Sequence, residues 1–573
     1  MLCILLLLIF LVCPSLLSVA VGETIRGAAY NNDTSSVDDR DNARIADVII
    51  IGAGWSGLAS ANRLREMGVN DIRVLEARDH IGGRSRTLEG YFVDGLPTEM
   101  GSSWIYRNKE ILDMYKNKLG LSWGNSRFNF RNLVLYNESG LLSRESSSSI
   151  KEEYATGFVR YIRQNANKGS SFDSLMNSYF DSQECLPNTS RQAVHALLNP
   201  VKTDLGHIFE EADASSVAPL LIWDSPMDFT AVPNGGFTRA VEGYAKPIAE
   251  SILLQSAVEK VDYSTVSQKK FVEVTTDDSN VYRARVVIST IPIGVLQHRD
   301  IEFIPDLPNE KWDAIDSIGN GGVNKCIMYW DSDEKDISWW PEGQFEMQLM
   351  TDTDNGSDDW TYIVNDQFHS KIKDHHILTA WSAGEIVEEL ELENDDDTLD
   401  RVISNLRKMF GESVPEPTKF LVTRWLTDPY SRGVHTFGKL GVDTERAKEE
   451  IRRPVSGNMF FSGEAVGYGS DVSAAFDSGI AVADKVLASK ILDEYEDEDK
   501  HHMPEDEEPE KAVGSQDVDE DNFDNLEHEN KEEQQTTERE RDRLYGDRFE
   551  RRPRSGARDR LYGWLAWALS NQP

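Results

Sequence analysis

The sequence predicts an α/β protein that ends in a disordered acidic tail. Three observations lead to this prediction. Between Val48 and Glu76, an apolar run is followed by a glycine-rich segment, a helix-like segment and a second apolar run. The length of 573 residues and the hydrophobic content of 39% allow one large or two medium cores. Residues 491–530 are rich in acids and poor in aromatic and branched side chains, which is typical of disorder.

The first element is a strand, a glycine-rich turn, a helix and a second strand that ends in an acid. Gly52 permits a tight turn, Gly54 lets the backbone approach a pyrophosphate, and Gly57 lets the helix lie close to the strand. The helix N-terminus then offers free N–H groups to the phosphates, and Glu76 can accept hydrogen bonds from a ribose diol. The predicted dinucleotide-binding turn consists of Gly52, Ala53, Gly54, Trp55, Ser56 and Gly57.

The motif that follows Glu76 resembles a known family. Residues 77–84, Ala-Arg-Asp-His-Ile-Gly-Gly-Arg, resemble the second fingerprint of the flavin-dependent amine oxidases. In that family the Gly-Gly-Arg places backbone and a guanidinium on the FAD diphosphate, and a planar guanidinium matches phosphate oxygens. Residues 99–104, Glu-Met-Gly-Ser-Ser-Trp, resemble the next family signature, a small-residue turn beside the flavin ring. The resemblance implies FAD contacts by Arg78, Gly82, Gly83, Arg84, Gly101 and Ser102.

Segments far along the chain resemble further pieces of the same FAD domain, which implies that this Rossmann-like domain is discontinuous. Residues 257–261 resemble the strand whose valine, here Val258, contacts adenine through its backbone. Residues 286–296 resemble a strand and turn that return to the cofactor. The resemblance also implies that Glu464 lies near the ribityl and phosphate region, and that the last helix begins beside the flavin, near Val472.

The resemblance covers residues 46–489 and implies an α+β substrate domain interleaved with the FAD domain, with the active site between the two. The first insert is mostly helical by pattern, whereas the second mixes strands and helices. The predicted division of the chain is a signal peptide at 1–22, a linker at 23–45, FAD-binding parts at 46–106, 234–304 and 421–490, substrate-domain parts at 107–233 and 305–420, and an acidic, low-complexity tail at 491–573.

The N-terminus predicts entry into the secretory pathway, with secretion as the expected destination. Leu2 to Val21 is an apolar run followed by small residues, which favours a cleaved signal peptide, although an uncleaved anchor would also fit its length. Three N-glycosylation sequons agree with export, at Asn137, Asn188 and Asn355.

The charge distribution limits the classes of partner. A net charge of −39 disfavours nucleic acid and would attract a small cationic substrate. We interpret residues 491–530 as a solubilising tail. The hexamer Arg-Asp-Arg-Leu-Tyr-Gly occurs at 541–546 and again at 558–563, before an apolar end. Two interpretations stay open for residues 541–573: peripheral docking to a membrane or a protein, or a short helix that packs back on the body.

Two residues are the first catalytic candidates. Val-Asn-Lys-Cys-Ile around Lys325 resembles the family strand whose lysine holds a water at the flavin N5 atom. A lysine inside an apolar strand is costly unless it has a task, although a lysine on an edge strand could extend to solvent. Trp425 resembles the aromatic residue that packs by the flavin, and the alternative is an ordinary core tryptophan.

The substrate side departs from the family pattern. Family members often carry two aromatic residues as a cage in front of the flavin. The matching positions here are His435 and Asp471, an imidazole and a carboxylate, and we count both among the catalytic candidates. Tyr106 stands where polyamine oxidases often carry a glutamate. Glu210 or Glu211 could supply a carboxylate from the substrate domain instead.

These residues lead to a functional prediction. Monoamine oxidases, a branch of the resembled family, attach their flavin through a cysteine in the C-terminal part. No cysteine follows Cys326 here, so the resemblance implies FAD bound without a covalent bond. No Cys/His cluster has metal-ligand spacing, and we expect no metal. The first prediction is a secreted oxidase that converts amines, most of all polyamines such as spermine and spermidine, to imines and aldehydes while O2 is reduced to hydrogen peroxide. The alternatives are an oxidase of another amine or an L-amino acid, and a non-catalytic flavin-binding protein whose tail recruits partners.

Overall fold

A computed structural model describes most of the chain between residues 44 and 493. The described residues are 44–106, 124–128, 134–137, 140–141, 156–167, 169–183, 188–207, 209–218, 227–231, 235–264, 266, 271–341, 346–350, 362–365 and 375–493. They belong to one compact unit of the chain, which lies within residues 1–501. In this described part, no helix has both the length and the apolar character that a membrane crossing requires.

The described chain contains both strands and helices. The strands are β1 Ile45–Ile51, β2 Ile72–Leu75, β3 Thr87–Glu89, β4 Pro97–Glu99, β5 Trp104–Tyr106, β6 Gly124–Phe128, β7 Val134–Asn137, β8 Gly140–Leu141, β9 Met227–Ala231, β10 Ile252–Leu253, β11 Val258–Asp262, β12 Val272–Thr276, β13 Val281–Ser289, β14 Glu302–Ile304, β15 Ile318–Gly321, β16 Val323–Asp331, β17 Glu346–Leu349, β18 Tyr362–Asn365, β19 His375–Ala383, β20 Lys419–Val422, β21 His435–Gly438 and β22 Met459–Phe461. The α-helices are α1 Trp55–Glu66, α2 Thr156–Asn165, α3 Phe172–Ser182, α4 Asn188–Leu205, α5 Ala214–Val217, α6 Gly236–Ala245, α7 Ile293–Gln297, α8 Asn309–Ser317, α9 Ile386–Leu392, α10 Asp395–Phe410, α11 Thr444–Arg452 and α12 Val472–Ser489.

An eight-stranded sheet carries the dinucleotide-binding part. Its strand order is β10-β2-β1-β13-β12-β11-β14, and β22 pairs with β13 off this path. Strand β1 is parallel to β2 and to β13, and β13 is parallel to β22. The sheet therefore collects strands from three separate parts of the sequence, and the predicted discontinuous α/β architecture is confirmed.

Residues 48–51 of β1 are buried on both faces of the strand, which explains why this part of β1 is apolar throughout. Val48 and Ile50 pack into one core cluster with side chains of α1, α6 and α12. Ile49 and Ile51 point to the opposite face and pack with side chains of β12, β13 and α8. Side chains alternate between the two faces of a strand, so a strand covered on both sides must be apolar throughout. The strand is thereby held with its carboxyl end at the turn that begins at Gly52.

A second sheet lies in the inserts. Its order is β20-β16-β19-β18-β17-β7-β8, and β16 is antiparallel to both of its neighbours, β19 and β20. All residues of β16 except Asp331 are buried. Lys325 therefore stands on an interior strand and is 3% exposed, so the alternative of an edge-strand lysine that extends to solvent does not fit. A helical cluster of α2, α3 and α4 packs beside β7.

The described part of the first insert contains short strands besides the predicted helices. We predicted that residues 107–233 are mostly helical, and their described part does contain α2 to α5. It also contains strands β6 to β9, of which β6 and β9 form a small sheet with β5. Strand β9 lies between β5 and β6 and pairs with both, and a pairing between distant segments leaves no periodic signal in either one.

Several predictions fall on residues outside the described ranges. They include the signal peptide, nearly all of the linker, the sequon at Asn355, and the tail from residue 494 with its repeated hexamer. These stay predictions. Cys326 is described, and its buried thiol forms no disulfide with another described residue.

Candidate active site

A cavity of about 560 Å³ runs from the carboxyl ends of β1 and β2 to the second sheet. Its lining combines the glycine-rich turn, the end of β2 and segments from the second sheet and α4. Open α/β sheets bind their ligands at this edge, outside the carboxyl ends of the strands. With the exceptions of Ala53 and Gly57, every residue predicted to be catalytic or to bind the cofactor lines this one cavity.

The glycine-rich turn leaves room for a ligand only where the ligand must approach. Gly52 has φ of +100°, a left-handed conformation that side chains disfavour. A Cβ atom on Gly57 would lie 1.9 Å from the carbonyl oxygen of Gly52, so α1 can lie this close to β1 only because residue 57 is glycine. A Cβ on Gly54 would instead meet open space. The turn is therefore packed behind and open in front, as a pyrophosphate requires.

Glu76 is held in place by the turn that it faces. Its side chain is 6% exposed, Oε2 accepts a hydrogen bond from the Ala53 N–H at 2.8 Å, and Oε1 accepts one from the Arg78 N–H at 3.0 Å. Burial raises the pKa of Glu76, while these backbone donors and the Arg78 charge oppose the shift. Each oxygen keeps a lone pair that can accept a ribose hydroxyl. Ala53 thus acts through its backbone, behind the cavity wall.

Arg84 and Glu464 meet across the cavity although 380 positions separate them in the sequence. Both terminal nitrogens of Arg84 lie 3.3 Å from Oε2 of Glu464, and Arg84 also donates to the carbonyl of Val434. The other oxygen of Glu464 accepts from the N–H of Thr436 at 3.0 Å and from its hydroxyl at 2.6 Å. The guanidinium is 24% exposed, so it has donors left for a phosphate oxygen.

Arg78 lines the cavity but already has an ionic partner. Its guanidinium forms a bidentate ion pair with Asp428, with both distances 2.8 Å, and donates to the hydroxyl of Ser431 at 2.9 Å. It also lies 5.4 Å from the ring centre of Tyr430. Fork-to-fork pairs of this kind fix geometry strongly. Arg78 therefore ties the end of β2 to the 428–431 loop on the opposite wall of the cavity.

The Lys325 ammonium lies against the small-residue turn before β5. It donates to the carbonyl of Glu99 at 3.2 Å, to the hydroxyl of Ser103 at 2.8 Å and to the carbonyl of Gly101. It also lies 4.2 Å from the ring centre of Trp381, which is its direct neighbour on β19. Three acceptors and a ring face compensate a cation that is nearly sealed from solvent.

His435 and Asp471 occupy the positions where we expected a departure from the family pattern, and both line the cavity. His435 Nδ1 lies 2.7 Å from the carbonyl oxygen of Ser470, so Nδ1 carries the proton and Nε2 keeps its lone pair. Burial lowers the pKa of His435, with the Glu464 charge opposing this shift. Burial raises the pKa of Asp471 to about 6, although its Oδ1 caps α12 by accepting from the Ala474 N–H at 2.9 Å.

The remaining cofactor predictions fit their positions. A Cβ on Gly101 would lie 1.8 Å from the carbonyl oxygen of Arg84, so the turn beside Lys325 requires a glycine. Ser102 Oγ accepts from the hydroxyl of Ser85 at 3.0 Å, and Ser85 accepts from the Trp55 indole at 3.0 Å. These bonds join the small-residue turn to the dinucleotide turn. The other predicted residues that line the cavity are Ser56, Gly82, Gly83, Val258 and Val472.

The lining residues that the sequence analysis did not single out include Trp104, Thr203, Asp204 and Trp381. The rings of Trp104 and Trp381 stack with their centres 5.3 Å apart and 21° between their planes, which makes an aromatic wall beside Lys325. Asp204 lines the cavity from α4, whereas Glu211 pairs with His207 on an exposed surface. Trp104 is the last residue of the Glu-Met-Gly-Ser-Ser-Trp motif at 99–104, so the sequence could have predicted it as a site residue. Nothing in the local sequence marks the other three.

The residues of the cavity fit FAD. A tight glycine turn, a buried carboxylate at the end of β2 and an arginine with spare donors are the groups that a dinucleotide needs. The length of the cavity wall beyond them, from Gly101 to Lys325 and Trp425, leaves a place for a flavin ring between the two sheets. Among the described residues, no group of three or more His, Cys, Asp or Glu side chains is arranged to hold a metal ion.

Comparisons with known proteins agree with this geometry. The model of the family described as flavin containing amine oxidoreductase matches residues 55–487. Polyamine oxidase 4 of Oryza sativa subsp. japonica is 29% identical over 462 residues, which cover 78% of this chain and 90% of the rice protein. Lysine-specific histone demethylase 2 of Homo sapiens is also 29% identical, over 77% of this chain and 53% of that protein.

Solved structures show the same fold. Wild-type putrescine oxidase bound to putrescine aligns with a TM-score of 0.62 and 20% identity, over 78% of this chain and 99% of that chain. A variant of putrescine oxidase with redesigned cofactor binding aligns with a TM-score of 0.61 and 20% identity, over 77% of this chain and 99% of that chain. At this identity the likeness extends to the fold, and the substrate must be argued from the residues of the cavity.

Proposed function

This chain belongs to the flavin-containing amine oxidoreductase family, and on that premise we propose that it is an oxidase of polyamines such as spermine and spermidine. FAD is its cofactor, bound without a covalent bond. In the proposed reaction the amine, O2 and water yield an aldehyde, a shorter amine and hydrogen peroxide. The observation that carries the proposal is that one cavity joins the dinucleotide site to Lys325, His435 and Asp471.

The cofactor and the protein divide the chemistry between them. When bound, FAD supplies the two-electron oxidation of the carbon next to nitrogen and passes the electrons to O2. The protein must hold the amine against the flavin, keep water from the reacting carbon, and accept the proton that an ammonium carries. The aromatic wall of Trp104 and Trp381 suits the exclusion of water from the reacting carbon.

His435 is suited to accept the proton that an ammonium substrate carries. An amine reacts only when it is neutral, and spermine and spermidine arrive as cations. With Nδ1 bonded to the Ser470 carbonyl, the lone pair of Nε2 can take a proton from the substrate. The lowered pKa keeps the imidazole neutral before substrate binds. The ring would then act as a base in a place where many relatives use an aromatic wall.

Two carboxylates suit a substrate with more than one cationic nitrogen. Asp204 lines the cavity from α4, and Asp471 lines it from the start of α12. A polyamine carries several cations along one flexible chain, so carboxylates on separate elements can each attract one of them. The relatives named polyamine oxidases support the same substrate class.

The test is an anaerobic absorbance titration of the purified holoprotein with spermine, spermidine, putrescine and several L-amino acids. We expect spermine or spermidine to bleach the oxidised-flavin band, and admission of O2 to restore it with formation of hydrogen peroxide. Bleaching by an L-amino acid alone would move the assignment to an amino-acid oxidase. A yellow protein that no amine bleaches would contradict the proposal and favour a flavin-binding protein without this catalysis.

We also propose that the protein enters the secretory pathway through residues 1–22. The apolar N-terminus and the three sequons support this proposal. Expression of the full chain in eukaryotic cells, followed by N-terminal sequencing of protein recovered from the medium, tests it. A product that starts at Met1 and stays in the cytosol would contradict it.

A further inference from the structure

A buried carboxylate near the end of helix α9 faces the backbone N–H groups of the segment that contains Trp425. Glu391 lies on this helix, in the second insert, and is 4% exposed. Its Oε1 accepts from the N–H groups of Trp425 at 2.9 Å and Leu426 at 3.0 Å. Its Oε2 accepts from the N–H of Thr427 at 2.6 Å and from the Thr427 hydroxyl at 2.9 Å. One buried side chain thus accepts three consecutive backbone donors.

Glu391 and the N–H groups of residues 425–427 satisfy each other's hydrogen bonds. Strand β20 ends at Val422, so the N–H groups of residues 425–427 have no strand ladder to donate to. An unpaired buried N–H costs about 1–3 kcal/mol, and an unpaired buried carboxylate costs more. Converging N–H groups form a concave anion site, and Glu391 fills it. We call this arrangement, Glu391 with the N–H groups of 425–427, the carboxylate clamp.

The carboxylate clamp fixes the residue that lines the cavity. The Trp425 side chain is 7% exposed, and its indole Nε1 donates to the Met100 carbonyl at 3.2 Å. The ring also touches Gly101, where an added Cβ would come within 3.2 Å of Cζ2. The carbonyl of Trp425 accepts from the Gly433 N–H at 3.0 Å, at the start of the segment that leads to His435. A shift of the backbone at Trp425 would therefore move two cavity groups together.

A second set of contacts binds the same helix end to the same segment. The Arg424 guanidinium donates to the carbonyls of Glu391 at 3.3 Å and Glu393 at 2.7 Å, and it pairs with Asp395. The Arg424 and Trp425 side chains thus point in opposite directions, one to the end of α9 and the other into the cavity. These contacts and the carboxylate clamp therefore couple the position of α9 to the position of Trp425 in the cavity wall.

We propose that Glu391 is a positioning residue, which orients the Trp425 indole for FAD and for the amine. It touches neither ligand. The inference uses the proposed oxidase activity only for its kinetic readout, because flavin circular dichroism and amide exchange need no turnover. A wild-type protein that no amine bleaches would defeat the proposed function, while these two readouts would still decide the role of Glu391.

The first experiment compares Glu391→Gln with Glu388→Gln. Both changes remove one negative charge from α9, but Glu388 is exposed on that helix and lies outside the clamp. In Glu391→Gln an amide N–H2 faces the backbone donors, so we expect faster amide exchange in residues 425–427 of the apoprotein. In the holoprotein we expect altered flavin circular dichroism and a flavin reduction rate about 10-fold lower at saturating amine. Glu388→Gln should match the wild type in all three.

A double-mutant cycle with Trp425→Leu separates positioning from general stability. If Glu391 acts through Trp425, adding Glu391→Gln to Trp425→Leu causes little further loss of rate. If the rate loss of the double variant equals the product of the two single losses, the proposal is overturned. A Glu391→Gln holoprotein with wild-type circular dichroism and reduction rate would also overturn it. If Glu391→Gln does not fold, Thr427→Val removes only the hydroxyl bond, and the same readouts should shift in the same direction by a smaller amount.

Discussion

Two lysines are buried in nearly the same way in two regions of the molecule. Lys325, 3% exposed, donates to two carbonyls and a hydroxyl and lies 4.2 Å from the ring centre of Trp381. Lys311, 1% exposed, donates to three carbonyls at the end of α11 and lies 4.5 Å from the ring centre of Phe461. A buried, fully coordinated lysine is therefore not by itself a mark of catalysis.

The surroundings of the two lysines differ. Lys311 satisfies the last carbonyls of a helix, a structural task, and burial lowers its pKa to about 8. Lys325 lines the cavity and holds the small-residue turn beside it. Position relative to the cavity thus distinguishes the two roles.

The histidines make a similar pair. His376 is 4% exposed and is surrounded by the rings of Trp330, Trp339 and Trp340. Burial lowers its pKa to about 4. His435 is also held neutral by burial, but it lines the cavity and keeps a lone pair for chemistry. A neutral histidine in the core and a neutral histidine in the cavity should respond differently to the same substitution.

The largest expected effect separates the role of Lys325 from that of Lys311. Lys325→Met should slow flavin reduction or reoxidation by about 1,000-fold, because the cavity loses its cation and the turn beside it loses its donor. Lys311→Met removes an equally buried ammonium and should lower the free energy of unfolding while leaving both rates unchanged. Stopped-flow absorbance of the two holoproteins measures the rates. Equal rates for Lys325→Met and the wild type would remove Lys325 from the mechanism.

The contrast explains what the sequence could predict. The dinucleotide turn and Glu76 were recognisable because glycine positions and an acid at a fixed distance are written in one short segment. Trp381 was not, because it meets Lys325 through the register of two strands that lie far apart in sequence. Glu391 and Asp204 likewise reach their positions through tertiary packing. The local sequence also does not indicate that Lys311, a buried lysine, lies away from the cavity.

A smaller effect concerns the core histidine and the pH dependence of stability. The folded pKa of His376 is about 4, below the value of about 6.5 for an unfolded histidine. As pH falls from 6.5 to 4 the unfolded state binds a proton that the folded state does not. The free energy of unfolding should therefore fall by up to about 3 kcal/mol across this window.

His376→Phe should remove that part of the pH dependence, because phenylalanine fits an aromatic cage and does not titrate. His298→Gln is the control, since His298 is exposed and lies outside the tryptophan cage. Urea unfolding at a series of pH values measures the free energies. If the His376→Phe protein keeps the wild-type dependence of unfolding free energy on pH, His376 is not the cause of the stability loss at low pH.

The smallest expected effect isolates the charge of Asp471 in the cavity. Asparagine caps helices as well as aspartate does, so Asp471→Asn should keep α12 and remove only the carboxylate. Since the pKa of Asp471 is about 6, wild-type KM for spermine should fall as pH rises through 6. The variant should lack this step and show a KM about 10-fold higher at pH 8, which corresponds to about 1.4 kcal/mol.

The stability of the same variant gives an independent check on the sign. A carboxyl group whose folded pKa is raised makes the fold less stable as pH rises from its unfolded pKa to its folded pKa. Asp471→Asn should therefore gain stability relative to the wild type between pH 4 and pH 7. Asp484→Asn is the matched control, because Asp484 is an exposed residue of the same helix, pairs with Arg63 at the surface and lies outside the cavity lining. A KM step that survives in Asp471→Asn would mean that another group, such as Asp204, supplies the charge that the amine meets.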